Sequence, residues 1–222
     1  MVFDTLAPRS IDELLQLLAS HSGVRFWRGS ADARWRLDST LVRRLRKSGE
    51  PSDERSVAFW ERDLLDRARH RGFDVLSGVR LRDFELLGLL RHNGAATRLI
   101  DFTRSATVAL WFATFELPDV SGRLLGIHTD YLAGSGEGKT IGESYAKVIA
   151  AAEAYDRAFT WEPPRVSPRV SAQHSQFLYS VVNEYEYGSL RLPIDKPGGV
   201  FVVDISPELK QSVLPFLREV LD

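Results

Sequence analysis

Apolar and polar residues follow each other along the first half of the chain mostly at the spacing of α-helices. Ser10, with Glu13 three residues later, forms a capping box that marks the start of the first helix. Residues 72–82 lack the helical pattern and are expected to be a connector. The spacing predicts helices over residues 11–20, 40–46, 57–70, 84–90 and 106–115, the last two of them buried.

The second half of the chain carries more strand-like segments. Short apolar runs predict strands over residues 24–29, 123–128, 176–182 and 199–205. We expect residues 35–37 to extend the first strand into a hairpin. Two further helices are predicted over residues 141–159 and 207–221, and Pro215 is expected to kink or split the second of these.

These elements predict one α+β domain over residues 1–222. We expect a small core β-sheet, with a helical lobe of about residues 40–116 inserted after the first strand. A strand-rich half covers about residues 123–222. A hydrophobic content of 44% and five Trp residues are enough for a sizeable core.

Polar side chains, whose burial costs free energy, lie between the two helices predicted to be buried, in the segment 91–105. Arg and Asp are rarely buried unless they are paired, so an Arg98–Asp101 pair is expected here. Asp101 or Thr103 is also a candidate cap for the helix that begins near Ser105. The segment is therefore either a structural clamp or part of a site. Its polar residues are His92, Thr97, Arg98, Asp101 and Thr103.

Composition narrows the class of protein. The longest apolar run, 106–115, is too short to cross a bilayer, and residues 1–10 lack the order of a signal peptide. We therefore expect a cytoplasmic protein without membrane contact. The sequence has no Cys, and none of its five His lies at helical spacing from another. No bound metal is expected.

Charge is distributed unevenly along the chain. Residues 1–104 hold 19 basic and 15 acidic residues, whereas the remainder holds 10 basic and 15 acidic residues. Arg supplies 24 of the 29 basic residues, and its guanidinium is the better bidentate partner of phosphate. Genomic base composition would explain this as well as a nucleotide or nucleic acid partner does.

The segment 133–140, AGSGEGKT, satisfies a relaxed phosphate-loop pattern that ends in Lys139 and Thr140. Its first residue is Ala rather than Gly, and only about 80 residues follow, which leaves little room for a nucleotide-binding parallel sheet. A flexible Gly-rich connector is the favoured interpretation.

Three motifs and an apolar helix occur in a fixed order. They are FWRG at 26–29, WRLDSTLVR at 35–43, RHNGAATRLIDFT at 91–103, and ALWFA at 109–113. Together they resemble the FRG domain, a family named for its Phe-x-Arg-Gly strand. A later segment, SAQHSQFLY at 171–179, resembles the family's Gln-x-Gly-x-Phe. The departures from the family pattern are Arg91 for Gln, Ala96 for Pro, Phe102 for Trp, and Ser175 with Gln176 in the Gly region.

The resemblance implies an effector of a bacterial toxin–antitoxin or anti-phage system, with a cognate antitoxin as a partner. A weaker resemblance links the chain to ADP-ribosyltransferases, which place Arg-Gly at the end of the first core strand against the phosphates of NAD. It implies an ADP-ribosyltransferase-like fold and NAD as substrate, without a metal. The NAD-binding candidates are then Arg28, Gly29, Thr97, Arg98, Asp101 and Thr103.

These transferases also carry a Glu on a later strand, which holds the ribose and stabilises the developing cation. Glu184 is the candidate here, because Glu184 and Glu186 would point to the same side of a strand that continues from residue 182. Gln173 is a second candidate, and His92 is a candidate general acid or base.

The leading hypothesis is a transferase that uses NAD to modify a macromolecule, and the Arg-rich first half favours a nucleic acid target. The first alternative is a non-catalytic FRG recognition module that binds nucleic acid or a phage component. The second alternative is a nucleotide hydrolase that uses Lys139 and Thr140.

Overall fold

The computed structural model describes residues 5–134, 143–162 and 175–221. Several of its helices begin at side-chain caps that the sequence supplies, such as Ser39 for the second helix and Asp53 for the third. In chain order the helices are α1 (Ile11–Ser20), α2 (Thr40–Ser48), α3 (Glu54–His70), α4 (Asp83–His92), α5 (Ala106–Thr114), α6 (Tyr145–Tyr155) and α7 (Pro207–Leu221).

The strands form a seven-stranded sheet and a separate hairpin. They are β1 (Val24–Ser30), β2 (Val75–Leu76), β3 (Val79–Arg80), β4 (Ile100–Thr103), β5 (Gly122–His128), β6 (Ala133–Gly134), β7 (Phe159–Trp161), β8 (Ser175–Tyr179) and β9 (Val200–Ile205). The large sheet has the order β6-β7-β8-β4-β1-β5-β9, and β2 pairs with β3. Its neighbouring strands are antiparallel except for β6 and β7. The predicted α+β class is confirmed.

Two groups of helices cover the same face of the sheet. Trp27 pairs with Thr103 and Thr103 with Ser175, so these residues share one face. On this face α1, α5 and α7 cover β1, β5 and β9 through an apolar cluster that includes Leu110. The helices α3, α4 and α6 cover β7 and β8 through a second cluster around Phe177. A gap between α4 and α5 remains above β4.

The opposite face of the sheet carries a third apolar cluster. It contains Phe26 of β1, Phe102 of β4 and Leu178 of β8, and the segment after β8 covers it with Leu190 and Leu192. The sheet is therefore buried on both faces at its centre, which explains the apolar character of β5 and β9.

The strand β4 corrects the sequence interpretation of the segment between the two buried helices. Ile100 and Phe102 point into one core, whereas Asp101 and Thr103 point to the helical face, an alternation typical of a strand. An alternation over four residues is too short to be recognised as a strand in the sequence among the neighbouring polar residues. The predicted lobe 40–116 is consequently not one insertion, because β4 joins the main sheet and α5 packs on β1.

Other predicted elements are shorter than expected. The helix predicted over 141–159 is described from Tyr145 and ends at Tyr155, because Asp156 is left-handed and Phe159 starts β7. The strand predicted over 176–182 ends at Tyr179. The connector 72–82 contains the β2–β3 hairpin, and residues 35–37 form no strand beyond an isolated bridge of Leu37. The last helix is not split, because α7 continues through Pro215.

Among the helices that the structure describes, none combines the length and the apolar character needed to cross a membrane.

Candidate functional site

A cavity of about 360 Å³ lies in the gap between α4 and α5. Its walls come from β1, β4, the C-terminal end of α4 and one side of α5. The residues with polar or aromatic side chains that line it are Trp27, Arg28, Arg91, His92, Asp101, Phe102, Thr103, Phe112 and Ser175. Concave sites of this volume with a few polar groups are typical of small-molecule binding.

Arg28 lies where β1 and β4 separate. The two strands pair at Trp27 and Thr103, and beyond that pair the Arg28 Nη1 donates to the backbone oxygen of Asp101 over 2.5 Å. Burial lowers the pKa of Arg28 to about 10, with Asp101 acting against this decrease and Arg43 and Arg91 adding to it. The guanidinium is therefore charged near neutral pH, and its partner here is a neutral carbonyl.

Arg28 also lines a second cavity, of about 130 Å³, on the opposite face of the sheet. Trp35, Arg36 and Glu186 line that cavity with it. Arg28 is thus a lining residue of cavities on both faces of the sheet.

Gly29 is required by helix packing. A Cβ at this position would clash with the backbone oxygen of Ala109 and lie 2.7 Å from the backbone nitrogen of Ala113. The absence of a side chain lets α5 lie directly on β1. Gly29 lines the cavity, and by seating α5 it also sets the position of the wall that carries Phe112.

Asp101 forms an ion pair with Arg91, and its side chain is 41% exposed. The Arg98–Asp101 pair expected from the sequence is wrong, because Arg98 precedes β4 and enters the core between the helices, whereas Asp101 lines the cavity. The α5 cap is Ser105, whose Oγ accepts from the amide of Val108 over 3.3 Å.

Arg98 belongs to a buried charge cluster outside the cavity. Its Nε donates to Glu61 over 2.7 Å, and its two Nη atoms donate to the carboxylate of Glu54 over 2.9 and 3.0 Å. The hydroxyl of Tyr145 accepts from Arg98 over 2.6 Å. Burial acts to lower the pKa of Arg98, but Glu61, Tyr145 and Glu54 raise it above its usual value. Arg98 is a structural clamp.

Thr97 is buried next to Arg98, and its Oγ1 accepts from the amide of Leu99 over 3.2 Å. Neither Thr97 nor Arg98 is among the residues that line the cavity. His92 and Thr103 do line it, and the His92 ring lies 5.0 Å from that of Phe177, centre to centre.

Glu184 lies outside the cavity. It follows the end of β8 without regular structure, so the expectation that it shares a strand face with Glu186 is wrong. Its carboxylate accepts from Arg46 over 2.6 Å and forms an ion pair with Arg36, and its side chain is 64% exposed. Gln173, Lys139 and Thr140 lie outside the described residues.

Several lining residues were not named as site candidates from the sequence, among them Phe112 and Arg91. Phe112 is 45% exposed on the cavity side of α5 although the rest of that helix is mostly apolar and buried. Arg91 occupies the position where the FRG pattern has Gln, and this departure from the pattern was the sequence feature that could have identified it as a site residue. Arg91 lines the cavity as the ion-pair partner of Asp101, whereas Arg28 bonds to a backbone carbonyl.

Within the described ranges, no group of three or more His, Asp or Glu side chains is arranged to hold a metal ion. The cavity instead offers guanidinium donors, one carboxylate and an exposed aromatic ring. Guanidinium groups bind phosphate oxygens, and an aromatic ring stacks on a flat ligand ring. The arrangement therefore suits a ligand with both a phosphate and a ring.

Residues 24–120 match the family model of the FRG domain, so this part of the chain is an FRG domain. No curated protein and no solved structure matches the chain. The matched range runs from β1 past α5 and contains Arg28, Arg91, Asp101 and Phe112. The matched range thus contains the described lining residues of the cavity except Ser175.

Proposed function

We propose that this FRG domain binds NAD in the cavity between α4 and α5 and transfers ADP-ribose from it to a macromolecule. The observation that carries the proposal is the Arg28 guanidinium, which is charged, lines the cavity and bonds to a carbonyl rather than to a carboxylate. Its charge is therefore available to an anionic ligand.

Each part of the ligand has a matching group in the cavity. The pyrophosphate binds Arg28 and Arg91, because a guanidinium donates two parallel hydrogen bonds to phosphate oxygens. A ring of NAD stacks on the exposed face of Phe112. Thr103 and Ser175 are the hydroxyl groups nearest to the ribose in this arrangement.

In the transfer step, the bond between the ribose C1′ and the nicotinamide nitrogen breaks, and its electron pair leaves with nicotinamide. A lone pair on an oxygen or nitrogen of the target forms the new bond to C1′. The carboxylate of Asp101 stabilises the positive charge that develops on the ribose. The proton that the target loses passes to His92, the imidazole that lines the cavity. Glu184 makes no contact with the ligand in this scheme.

The biological setting follows from the FRG domain and the family resemblance alone. We propose a cytoplasmic effector of a bacterial toxin–antitoxin or anti-phage system, held inactive by a cognate antitoxin. The cavity is the surface that such an antitoxin would have to cover, because it contains the reacting groups of the proposal.

A second candidate function is a recognition module without catalysis. It is favoured by the position of Glu184, whose carboxylate is bound to Arg36 and Arg46 away from the cavity. In that case the cavity binds a nucleotide or a nucleic acid end, and nicotinamide is not released.

The test is NAD binding and nicotinamide release by Arg28→Ala. A charge-assisted hydrogen bond contributes about 1.5–3 kcal/mol, so we expect NAD affinity to fall roughly 10- to 100-fold. Arg25→Ala is the matched control, because Arg25 is exposed on the same strand and does not line the cavity. Isothermal titration with NAD measures affinity, and nicotinamide release is followed with cell lysate as a source of target.

Arg28→Lys keeps the charge and serves as a second variant if the alanine variant is unstable. Wild-type protein that neither binds NAD nor releases nicotinamide contradicts the proposal. Binding without release supports the recognition module instead.

A further inference from the structure

The helix α2 carries basic side chains that fall into two groups. Arg46 forms ion pairs with Asp38 over 2.8 Å and with Glu184 over 2.6 Å. In the part of the chain that the structure describes, no carboxylate forms an ion pair with Arg43 or Arg44. The charge of Arg46 is thus neutralised by its ion pairs, whereas the charges of Arg43 and Arg44 are retained.

The retained charge lies at the edge of the cavity. The Arg44 Nη2 donates over 3.3 Å to the backbone oxygen of Gly94, which lines the cavity. Arg43 directly precedes Arg44 on the same turn of α2, and its Nη2 donates to the Thr40 hydroxyl over 3.3 Å. Both side chains are exposed, and each guanidinium has five N–H donors, most of which remain available to a ligand.

Positive charge therefore exceeds negative charge around the cavity. Arg28 and Arg91 line it, Arg44 bonds to Gly94 at its edge and Arg43 is next to Arg44, whereas Asp101 is the one carboxylate among the lining residues that the structure describes. A ligand held inside the cavity by Arg28 and Arg91 needs no contact with Arg43 or Arg44. The guanidinium groups of Arg43 and Arg44 are therefore suited to a second, extended anion outside the cavity.

We propose that Arg43 and Arg44 bind the phosphate backbone of a single-stranded nucleic acid, and that this strand is the macromolecule that the cavity modifies. The inference rests on the proposed function, since it names the target of that transfer. Arg43 and Arg44 are adjacent on an exposed turn of α2 beside the cavity edge, and positive charge along the path to a site binds the backbone of a single strand.

A single strand fits better than a duplex. The cavity of about 360 Å³ already has to hold NAD, so the acceptor group must reach its mouth. A base inside a duplex cannot reach an enclosed reacting atom without leaving the stack, whereas the base of a single strand can.

The experiment compares wild type with the double variant Arg43→Gln/Arg44→Gln. Binding of labelled single-stranded RNA and DNA oligonucleotides of mixed sequence is measured by fluorescence anisotropy over a range of salt. Loss of two phosphate contacts should weaken binding about tenfold or more near 0.1 M salt and reduce the salt slope by about 1.4. The control, Arg71→Gln/Arg218→Gln, removes two exposed arginines elsewhere and should bind as wild type does.

The same variants are titrated with NAD, so that the two proposals fail separately. Unchanged NAD affinity with weakened oligonucleotide binding supports the inference. Wild type that binds NAD but no oligonucleotide, or a double variant that binds it as wild type does, overturns the inference and leaves the proposed function intact. Oligonucleotide binding lost in the double variant, with no NAD binding by wild type, overturns the proposed function and the role of the strand as its target, and leaves Arg43 and Arg44 as a binding surface for nucleic acid only.

Polyglutamate is the comparison for an acidic protein partner. If polyglutamate displaces the oligonucleotide at equal charge concentration, the surface recognises negative charge in general, and the assignment to nucleic acid is overturned. If it does not, recognition of phosphate is supported.

Discussion

For single residues, the role of each arginine depends on the acceptor that the fold brings to it. Arg98 and Arg46 each bind carboxylates, so their charges are compensated inside the protein. Arg28 donates to a backbone carbonyl, which accepts the hydrogen bond but does not compensate the positive charge. A charge kept in this way in a cavity is suited to an anionic ligand. The sequence shows each Arg but not which acceptor it meets.

Glu184→Gln tests whether this residue compensates charge or takes part in catalysis. Its pairs with Arg36 and Arg46 are exposed, and such pairs contribute about 0–1 kcal/mol, so the melting temperature should change little. Arg36 and Arg46 keep their ion pairs with Asp38, so only part of their charge becomes available to phosphate, and single-stranded oligonucleotide should bind up to about twofold more tightly. Nicotinamide release should stay at the wild-type rate. Fluorescence anisotropy and a nicotinamide assay measure the two effects.

Glu186→Gln is the matched control for this change, because Glu186 lines the second cavity and no ion pair joins it to Arg36 or Arg46 among the described residues. A folded Glu184→Gln protein that no longer releases nicotinamide would restore Glu184 as the catalytic carboxylate.

Among secondary-structure elements, the helices were the easier part to predict. Apolar spacing gave α1 with its bounds and placed α2, α3, α4 and α5 within a few residues of their ends. The strand β4 was missed because its alternation covers only four residues and its partners, β1 and β8, lie far away in sequence. A short central strand is defined by its neighbours rather than by its own residues.

Gly29→Ala tests the contact between α5 and β1. A methyl group at Gly29 meets the backbone of Ala109 and Ala113, which cannot move as a side chain can. We expect a loss of about 1–3 kcal/mol in unfolding free energy, because overpacking forces the helix away from the strand. The displaced helix carries Phe112, so NAD affinity should fall as well. Urea unfolding and NAD titration measure these effects.

Ser30→Ala on the same strand adds no atoms and is expected to leave both measurements near wild type. A Gly29→Ala protein with wild-type stability would show that α5 does not rest on β1 as described.

For the molecule as a whole, five of the thirteen described residues that line the cavity could be predicted. They are Arg28, Gly29, His92, Asp101 and Thr103. Thr97 and Arg98 stand in the same motif but face the core. The motif could not separate the two groups, because the partners of Arg98 lie 37 and 44 residues earlier in the chain.

The buried cluster around Arg98 joins parts of the molecule that are distant in sequence. Glu54 and Glu61 come from α3, Tyr145 from α6, and Arg98 directly precedes β4. Glu54 also accepts from the amide of Val182, after β8, over 2.7 Å. The cluster therefore fixes the helices α3 and α6 to the strands that form the floor of the cavity, although it does not line the cavity itself.

Glu61→Gln tests this structural role. Glu61 is fully buried, and removing its charge leaves Arg98 partly uncompensated in the core. Breaking a buried pair on one side costs about 3–5 kcal/mol, and the amide retains part of the hydrogen bonding, so we expect a loss near the lower limit in urea unfolding. Asp63→Asn on the exposed side of α3 is the control and should cost under about 1 kcal/mol. At a temperature where the Glu61→Gln protein is folded, NAD affinity should match wild type. Lost affinity in a fully folded variant would show that Arg98 acts on the ligand and not only on the fold.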